Sequence, residues 1–207
     1  MNDVLEKFDR IAHGYSERDY DDPLRYGARR AKVILDLGPR LLPGQRVLDL
    51  GCGDGNMAAP LSAYGLSYSG VDASAGMVDA ARARNPGLRF EVSRSEEYLP
   101  PDRVDATICL RSFYYPKDRQ AFFRRVAGYT NVKFVFDFRP RVHPTAAVVA
   151  DLRAAGFDEI ALRPFFLPQL RRVPGPAVPI VYALERTGPF AAIVTRWYGR
   201  MFCAAWT

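Results

Sequence analysis

The stretch Val47-Leu48-Asp49-Leu50-Gly51-Cys52-Gly53-Asp54-Gly55 is the most informative in this 207-residue chain. Val47 to Leu50 is a short apolar run with one acid, the composition of a buried strand. Three glycines at alternate positions follow and predict a tight turn, since glycine adopts positive φ without strain and lets a ligand approach the backbone. A strand running into glycines opens a βα unit, and in open α/β sheets ligands bind beyond the carboxyl ends of the strands. The spacing also excludes a ligand class. A dinucleotide fingerprint needs its third glycine at position 56, but that residue is Asn56 and the glycine comes one place earlier.

Leu66 to Val71 reads as the next strand and is followed by Asp72-Ala73-Ser74. The acid stands at a strand end about twenty residues past the glycines, where a carboxylate can accept hydrogen bonds from a ribose diol. Ser74 is placed to cap a helix from Ala75 to Arg84, which stops before Asn85-Pro86-Gly87. Strand four is expected from Val104 to Leu110 and strand five from Val132 to Phe138. A helix from Pro144 to Ala155 then leads to strand six, from Phe157 to Phe165. Ahead of the sheet, residues 3–13 and 22–37 read as helices; Val4, Leu5, Phe8, Ile11 and Ala12 recur at helical spacing.

Asp49-x-Gly51-x-Gly53-x-Gly55, paired with Asp72, resembles motif I and the ribose-binding acid of the class I S-adenosylmethionine (SAM)-dependent methyltransferases of small-molecule type. The resemblance covers roughly residues 40–160. It implies an α/β, Rossmann-like seven-stranded sheet, six strands parallel and one antiparallel, in the order 3-2-1-4-5-7-6, with helices on both faces. The whole chain is then one methyltransferase domain. Residues 1–40 are an N-terminal helical cap, 41–163 the SAM-binding core, 164–199 a helical insertion and 200–207 the last, antiparallel strand. The implied cofactor is SAM, with S-adenosylhomocysteine (SAH) as product and no metal.

The same resemblance assigns cofactor contacts. Asp49 reaches the methionine amino group, and the backbone of Gly51, Cys52 and Gly53 passes beside the methionine part and ribose. Asp72 holds the ribose hydroxyls and Ala73 lies near the adenine. Ser95-Glu96 stands where the family usually has an acid followed by a small residue, so either Ser95 or Glu96 meets the adenine amino group. Leu110 and Arg111 lie beside the sulfonium. The phrase Phe8-Asp9-Arg10-Ile11-Ala12-His13-Gly14-Tyr15 resembles the family's closing cap, with Tyr15 at the methionine end. Arg25, Arg29 or another of several competing arginines would pair with the SAM carboxylate. The substrate side is expected from Phe113, Tyr114, Arg139 and Phe166. Tyr114 and Tyr115 stand where many relatives have histidines, so a histidine base at that place is excluded. His13 reads as a helix C-terminal residue rather than a base.

Composition bounds the rest. A hydrophobic content of 48% with 25% charged residues is ordinary for a globular chain. There is no run of eighteen apolar residues and no signal-peptide core, so a cytoplasmic protein is expected. Cys52, Cys109 and Cys203 lie far apart, and two histidines add no metal-ligand spacing. The +6 net charge comes with no basic cluster longer than two residues, which favours a solvated arginine-rich surface over a nucleic-acid footprint. The segment after strand six is punctuated by Pro164, Pro168, Pro174, Pro176 and Pro179. Beyond it, Ile180, Val181 and Leu184, then Phe190, Ile193, Val194, Trp197 and Tyr198, predict two short helices broken at Thr187-Gly188-Pro189. This insertion covers the sheet, or walls an apolar acceptor site, or rests on an anionic membrane through Arg171, Arg172, Arg186 and Arg196.

The reading is a SAM-dependent methyltransferase for a small, largely apolar acceptor, with Tyr114, Asp137 and His143 as candidate bases. An RNA methyltransferase and a non-catalytic SAM-binding partner protein are the alternatives.

Overall fold

The computed structural model describes residues 2–170, 173–188, 191, 193–195 and 199–207. Seven strands form one sheet: β1 Arg46–Leu50, β2 Ser67–Asp72, β3 Arg89–Val92, β4 Val104–Cys109, β5 Thr130–Phe138, β6 Glu159–Phe165 and β7 Arg200–Trp206. Their order is β3-β2-β1-β4-β5-β7-β6, as expected. The first five are mutually parallel, and β7 runs antiparallel between β5 and β6.

Alternation along the strands builds two cores. On β5, Phe134, Phe136 and Phe138 face one side with Leu48 and Leu50 of β1, against helices α6 (Arg119–Tyr129) and α7 (Thr145–Ala154). Val135 and Val47 face the other side, toward α3 (Pro23–Asp36), α4 (Ala58–Ser62) and α5 (Ala75–Arg84). Phe134 and Phe136 stack at 4.9 Å, and Phe136 meets Phe123 at 5.3 Å. Each buried phenylalanine contributes roughly 1.5–3 kcal/mol, so this ladder dominates one face.

The ends of elements follow local chemistry. Asp22 caps α3 by accepting from Arg25 N at 2.9 Å, and Pro23 supplies the first turn. Ser74 caps α5 by accepting from Met77 N, as read from the sequence. The first helix, α1, spans Asn2–Ile11 rather than reaching residue 13, because Gly14 takes φ 66° and starts a separate short helix, α2 (Tyr15–Asp19). Strand six starts at Glu159 instead of Phe157. Residues 155–157 are used in ending α7, with Gly156 at φ 97° and Phe157 N donating back to Leu152 O.

Within the insertion, a 3-10 turn at Gly175–Ala177 leads into α8 (Val178–Leu184). Residues 191 and 193–195 are helical, whereas Arg171, Arg172, Phe190, Arg196, Trp197 and Tyr198 lie outside the described residues. The described part packs toward α2 and α3. Glu185 is buried in an ion pair with Arg29 and accepts from Phe166 N at 2.9 Å. The Arg29 guanidinium lies 3.9 Å from the Tyr182 ring centroid, and Gln169 Nε2 donates to Asp19 O at 2.8 Å. No helix among the described residues is long and apolar enough to cross a membrane.

One long-range contact sets the position of α3. Lys133 of β5 is buried, and its Nζ donates to Ile34 O at 2.7 Å and Leu37 O at 2.8 Å. These are the orphan carbonyls of a helix C-terminus, where a cation is also favoured by the helix dipole. Burial pushes the Lys133 pKa down to about 8. Lys133→Met should strand the carbonyls and destabilise the fold by about 1–3 kcal/mol, a fall of several degrees in Tm by calorimetry. An unchanged Tm would show that α3 is held without this contact.

Candidate functional site

The site begins at the end of β1, where Gly51, Gly53 and Gly55 all have positive φ, at 74°, 55° and 71°. Gly51 N and Cys52 N both donate to Val71 O, closing the turn against β2. The glycines are required for different reasons. A Cβ on Gly51 would lie 2.5 Å from Ser112 Oγ, and one on Gly55 would meet Asn85 at 2.7 Å. A Cβ on Gly53 would meet nothing within 4 Å; that backbone borders a cavity.

Asp72 closes the turn from the neighbouring strand. Its Oδ2 accepts from Gly53 N at 2.8 Å and its Oδ1 from Ser74 N at 2.9 Å. Burial raises its pKa, and the two backbone donors counter that rise. Each carboxylate oxygen keeps accepting capacity beyond these bonds, and Asp72 borders the cavity.

Asp49 sits deeper, 2% exposed. Tyr68 OH donates to its Oδ2 at 2.7 Å, while Oδ1 is buried with no partner among the described residues. Burial raises its pKa to about 7 although the Tyr68 bond and the Arg30 charge oppose this. A buried carboxylate oxygen without a donor, on the wall of a cavity, is complementary to a cationic or hydrogen-bonding ligand.

The N-terminal helices form the cavity's other side. Buried Asp54, inside the glycine turn, accepts from Ser16 N at 3.1 Å, Ser16 Oγ at 2.8 Å and Arg84 at 2.9 Å. This pins α2 over the turn and directs Tyr15 into the cavity. Helix α1 is fastened by Asp9, which accepts from Ser74 Oγ at 2.5 Å and Gly76 N at 3.0 Å at the start of α5. Val4, Leu5 and Phe8 of α1 then supply an apolar wall.

All eleven residues expected to hold the cofactor border this one cavity: Tyr15, Asp49, Gly51, Cys52, Gly53, Asp72, Ala73, Ser95, Glu96, Leu110 and Arg111. The expected catalytic and substrate residues do not join them. Phe113 is 0% exposed and packs on Phe136 and His143, each at 5.0 Å, because β4 turns so as to direct it into the aromatic core. Tyr114 is 41% exposed and stacks beside His143 at 5.9 Å; Tyr115, not Tyr114, borders the cavity. Asp137 is committed to structure, accepting from Arg111 N at 2.6 Å and from Arg200 at 2.8 Å. Burial and the Arg119 charge lower the His143 pKa. Arg139 and His13 are exposed, and Phe166 packs at Gly199. No described residue of the 164–199 insertion borders the cavity; its described part buttresses α3 through the Arg29–Glu185 pair.

The arginines divide differently from the expectation. Arg29 is taken by Glu185, and Arg25 by Asp22 and Val173 O. The guanidinium beside Asp49 is that of the next residue, Arg30, which is buried and borders the cavity. Tyr20, Asn56, Met57, Met77, Arg94, Ser112 and Tyr115 also line it without having been singled out as cofactor contacts. Of these, Tyr115 belongs to an aromatic triplet that the sequence did mark, and the others carry no local signal. Among the described residues no group of three metal-ligating side chains is found.

Asp49 yields a stability prediction. Its folded pKa of about 7 exceeds the ordinary 3.8, so its ionisation linkage favours the fold below pH 3.8 and is lost as pH rises through 7. Asp49→Asn should therefore raise stability by about 1–4 kcal/mol at pH 8, with the gain shrinking toward zero near pH 4. Denaturant melts across that range would show it; a gain independent of pH would contradict the assignment.

The chain is similar to known proteins over its central part. A methyltransferase-domain family model matches residues 47–131. The chain is 30% identical over 151 residues to the demethylmenaquinone methyltransferase of Renibacterium salmoninarum, covering 70% of this chain and 61% of that protein. It is 27% identical over 136 residues to the ubiquinone biosynthesis O-methyltransferase of Rickettsia felis, covering 60% and 55% respectively. The chain thus spans little more than half the length of these curated relatives. Its fold matches magnesium protoporphyrin IX methyltransferase from Synechocystis, solved with bound SAM, with a TM-score of 0.62 at 21% identity over 93% of this chain and 84% of that one. The domain match runs through the strands that carry both cavity acids, and with the sheet order around them it gives the matched region the architecture of the class I SAM-dependent methyltransferases.

Proposed function

We propose that the protein binds SAM in the cavity at the end of β1 and transfers its methyl group to a small molecule. The observation that carries this is the pair of acids. Asp49 offers a buried, unpartnered oxygen, and Asp72, set in a fixed pose by two backbone donors, offers remaining lone pairs. In this reading Asp49 accepts from the methionine ammonium and Arg30 meets the carboxylate. Asp72 takes the ribose hydroxyls, and Ala73 with Ser95-Glu96 frames the adenine. The bound cofactor supplies a methyl group already activated on a sulfonium.

What the chain itself must do is position and exclude water. The glycine turn allows close backbone approach, and α1 covers the opening with Val4, Leu5 and Phe8. These apolar side chains favour a small acceptor with a greasy body. The names of the quinone and porphyrin relatives support the same size class. A nucleic-acid acceptor finds no comparable support in the cavity's apolar wall, and a non-catalytic SAM-binding role would leave binding without turnover.

Calorimetry with SAM, SAH and NAD tests the reading. SAM and SAH should bind and NAD should not. Asp72→Asn weakens charge-assisted hydrogen bonds worth roughly 1.5–3 kcal/mol each before compensation by water and leaves one of the two backbone donors facing an amide NH2, so SAM affinity should fall at least about tenfold with only a small fall in Tm. Tight NAD binding without SAM binding, or an unchanged SAM affinity in the variant, would overturn it.

A further inference from the structure

Arg111 is placed in a way that cofactor binding does not require. Among the described residues it is the only non-glycine with positive φ, at 61°. Such a conformation is costly for a side chain with a Cβ and persists where the surroundings enforce it. Here Asp137 enforces it, accepting from Arg111 N while its other oxygen is held by Arg200. The buried acid therefore fixes the backbone of Arg111 and leaves the guanidinium unneutralised. That guanidinium borders the cavity and donates from Nη1 to Tyr20 OH at 2.9 Å; its Nε is buried with no partner.

Three guanidiniums border the cavity, those of Arg30, Arg94 and Arg111; Arg94 lies 4.0 Å from Glu96 and 3.9 Å from Glu97, whereas among the described residues Arg30 and Arg111 have no carboxylate within ion-pair distance. The neighbourhoods of Arg30 and Arg111 overlap at Tyr20 and Tyr26 and then diverge. Arg30 acts on Asp49 and Tyr68, at the end proposed for the methionine group. Arg111 acts on Tyr15 and Tyr115. One cofactor carboxylate satisfies the first. The second would repel a nearby sulfonium unless an anion lies between them. The cavity acid that acts on Tyr115 is Asp72, assigned above to the ribose, and the remaining groups at this end supply no base. Burial pushes Tyr15 and Tyr115 up to about 12, so both stay protonated donors. Glu96 lies beside Arg94, and Tyr114, Asp137 and His143 are outside the cavity. A hydroxyl or carboxyl nucleophile arriving here must already be ionised, and the Arg111 charge favours an anion over an amine.

We propose that the acceptor is a small carboxylic acid, held as its carboxylate by Arg111 and the cavity tyrosines, and that the product is its methyl ester. The inference rests on the SAM reading above. A carboxylate oxygen forms the new O–CH3 bond as the C–S bond breaks, and that bonding pair stays on sulfur. No proton moves, and the acceptor's negative charge and the sulfonium's positive charge cancel. The neutral ester then loses its attraction to Arg111, which favours release.

The probe is benzoate against its neutral isostere benzamide, titrated by calorimetry into SAH-saturated protein at pH 7.5. Benzoate should bind at least tenfold more tightly than benzamide. Arg111→Gln should erase that preference while changing SAH affinity less than threefold, whereas Arg30→Gln should weaken SAH more than tenfold. Equal binding of the two probes, or binding of neither, would overturn the proposal, and that arm needs no variant. If Arg111→Gln weakens SAH as much as Arg30→Gln does, both arginines serve the cofactor and the proposal fails. Failure of SAH itself to bind would instead remove the SAM reading and this inference with it.

Discussion

The bond from Gly53 N to the Asp72 carboxylate ties the turn after β1 to the end of the neighbouring strand β2, and the site is arranged around it. It requires left-handed backbone at Gly53 and an acid at the end of β2, one supplied by the turn after β1 and the other by the neighbouring strand. Because β1 and β2 are paired in register from Arg46–Ser67 to Leu50–Val71, neither residue can shift without moving the sheet. The same Asp72 accepts from Ser74 N, and Ser74 both caps α5 and receives Asp9 from α1. Floor, helix cap and covering helix therefore share one short hydrogen-bonded chain, which links the fit of α1 to whatever occupies the Asp72 carboxylate.

The electrostatics of the cavity are unbalanced by design of the fold. Among the described residues Asp49 keeps one oxygen without a donor, and Arg30 and Arg111 have no carboxylate within ion-pair distance. A buried polar group in that condition costs stability, and such costs gather at functional sites, where activity and stability trade against each other. The cost is met elsewhere, by the phenylalanine ladder on one face and by Lys133 closing the C-terminus of α3 on the other. The buried Arg29–Glu185 pair serves the same end, holding the insertion against the helix that carries Arg30.

Much of this was legible in the sequence, for identifiable reasons. The glycine turn, Asp49, Asp72 and the Ser74 cap depend on local chemistry, where residue type and spacing determine geometry. The strand order followed from a family resemblance and held throughout. Tertiary direction was not legible. Arg29 and Arg30 are neighbours in sequence, yet about 100° of helical rotation sends one to Glu185 and the other to the cavity. Phe113, Tyr114 and Tyr115 are three consecutive aromatics that go to the core, the surface and the cavity. Their separation is set by the turn at Arg111, whose positive φ no residue type announces. Asp137 looked like a base because it ends a strand near the site; its two donors come from residues 26 and 63 positions away.

The central claim concerns how the cavity's charges are used, and a crystal structure of the protein grown with SAH tests it most directly. The account predicts the homocysteine ammonium within hydrogen-bond distance of Asp49 Oδ1 and its carboxylate at Arg30. The ribose hydroxyls should lie on Asp72, and no cofactor atom should lie on the Arg111 guanidinium. SAH bound with its carboxylate on Arg111, its ribose away from Asp72, or its whole density outside this cavity would contradict the account.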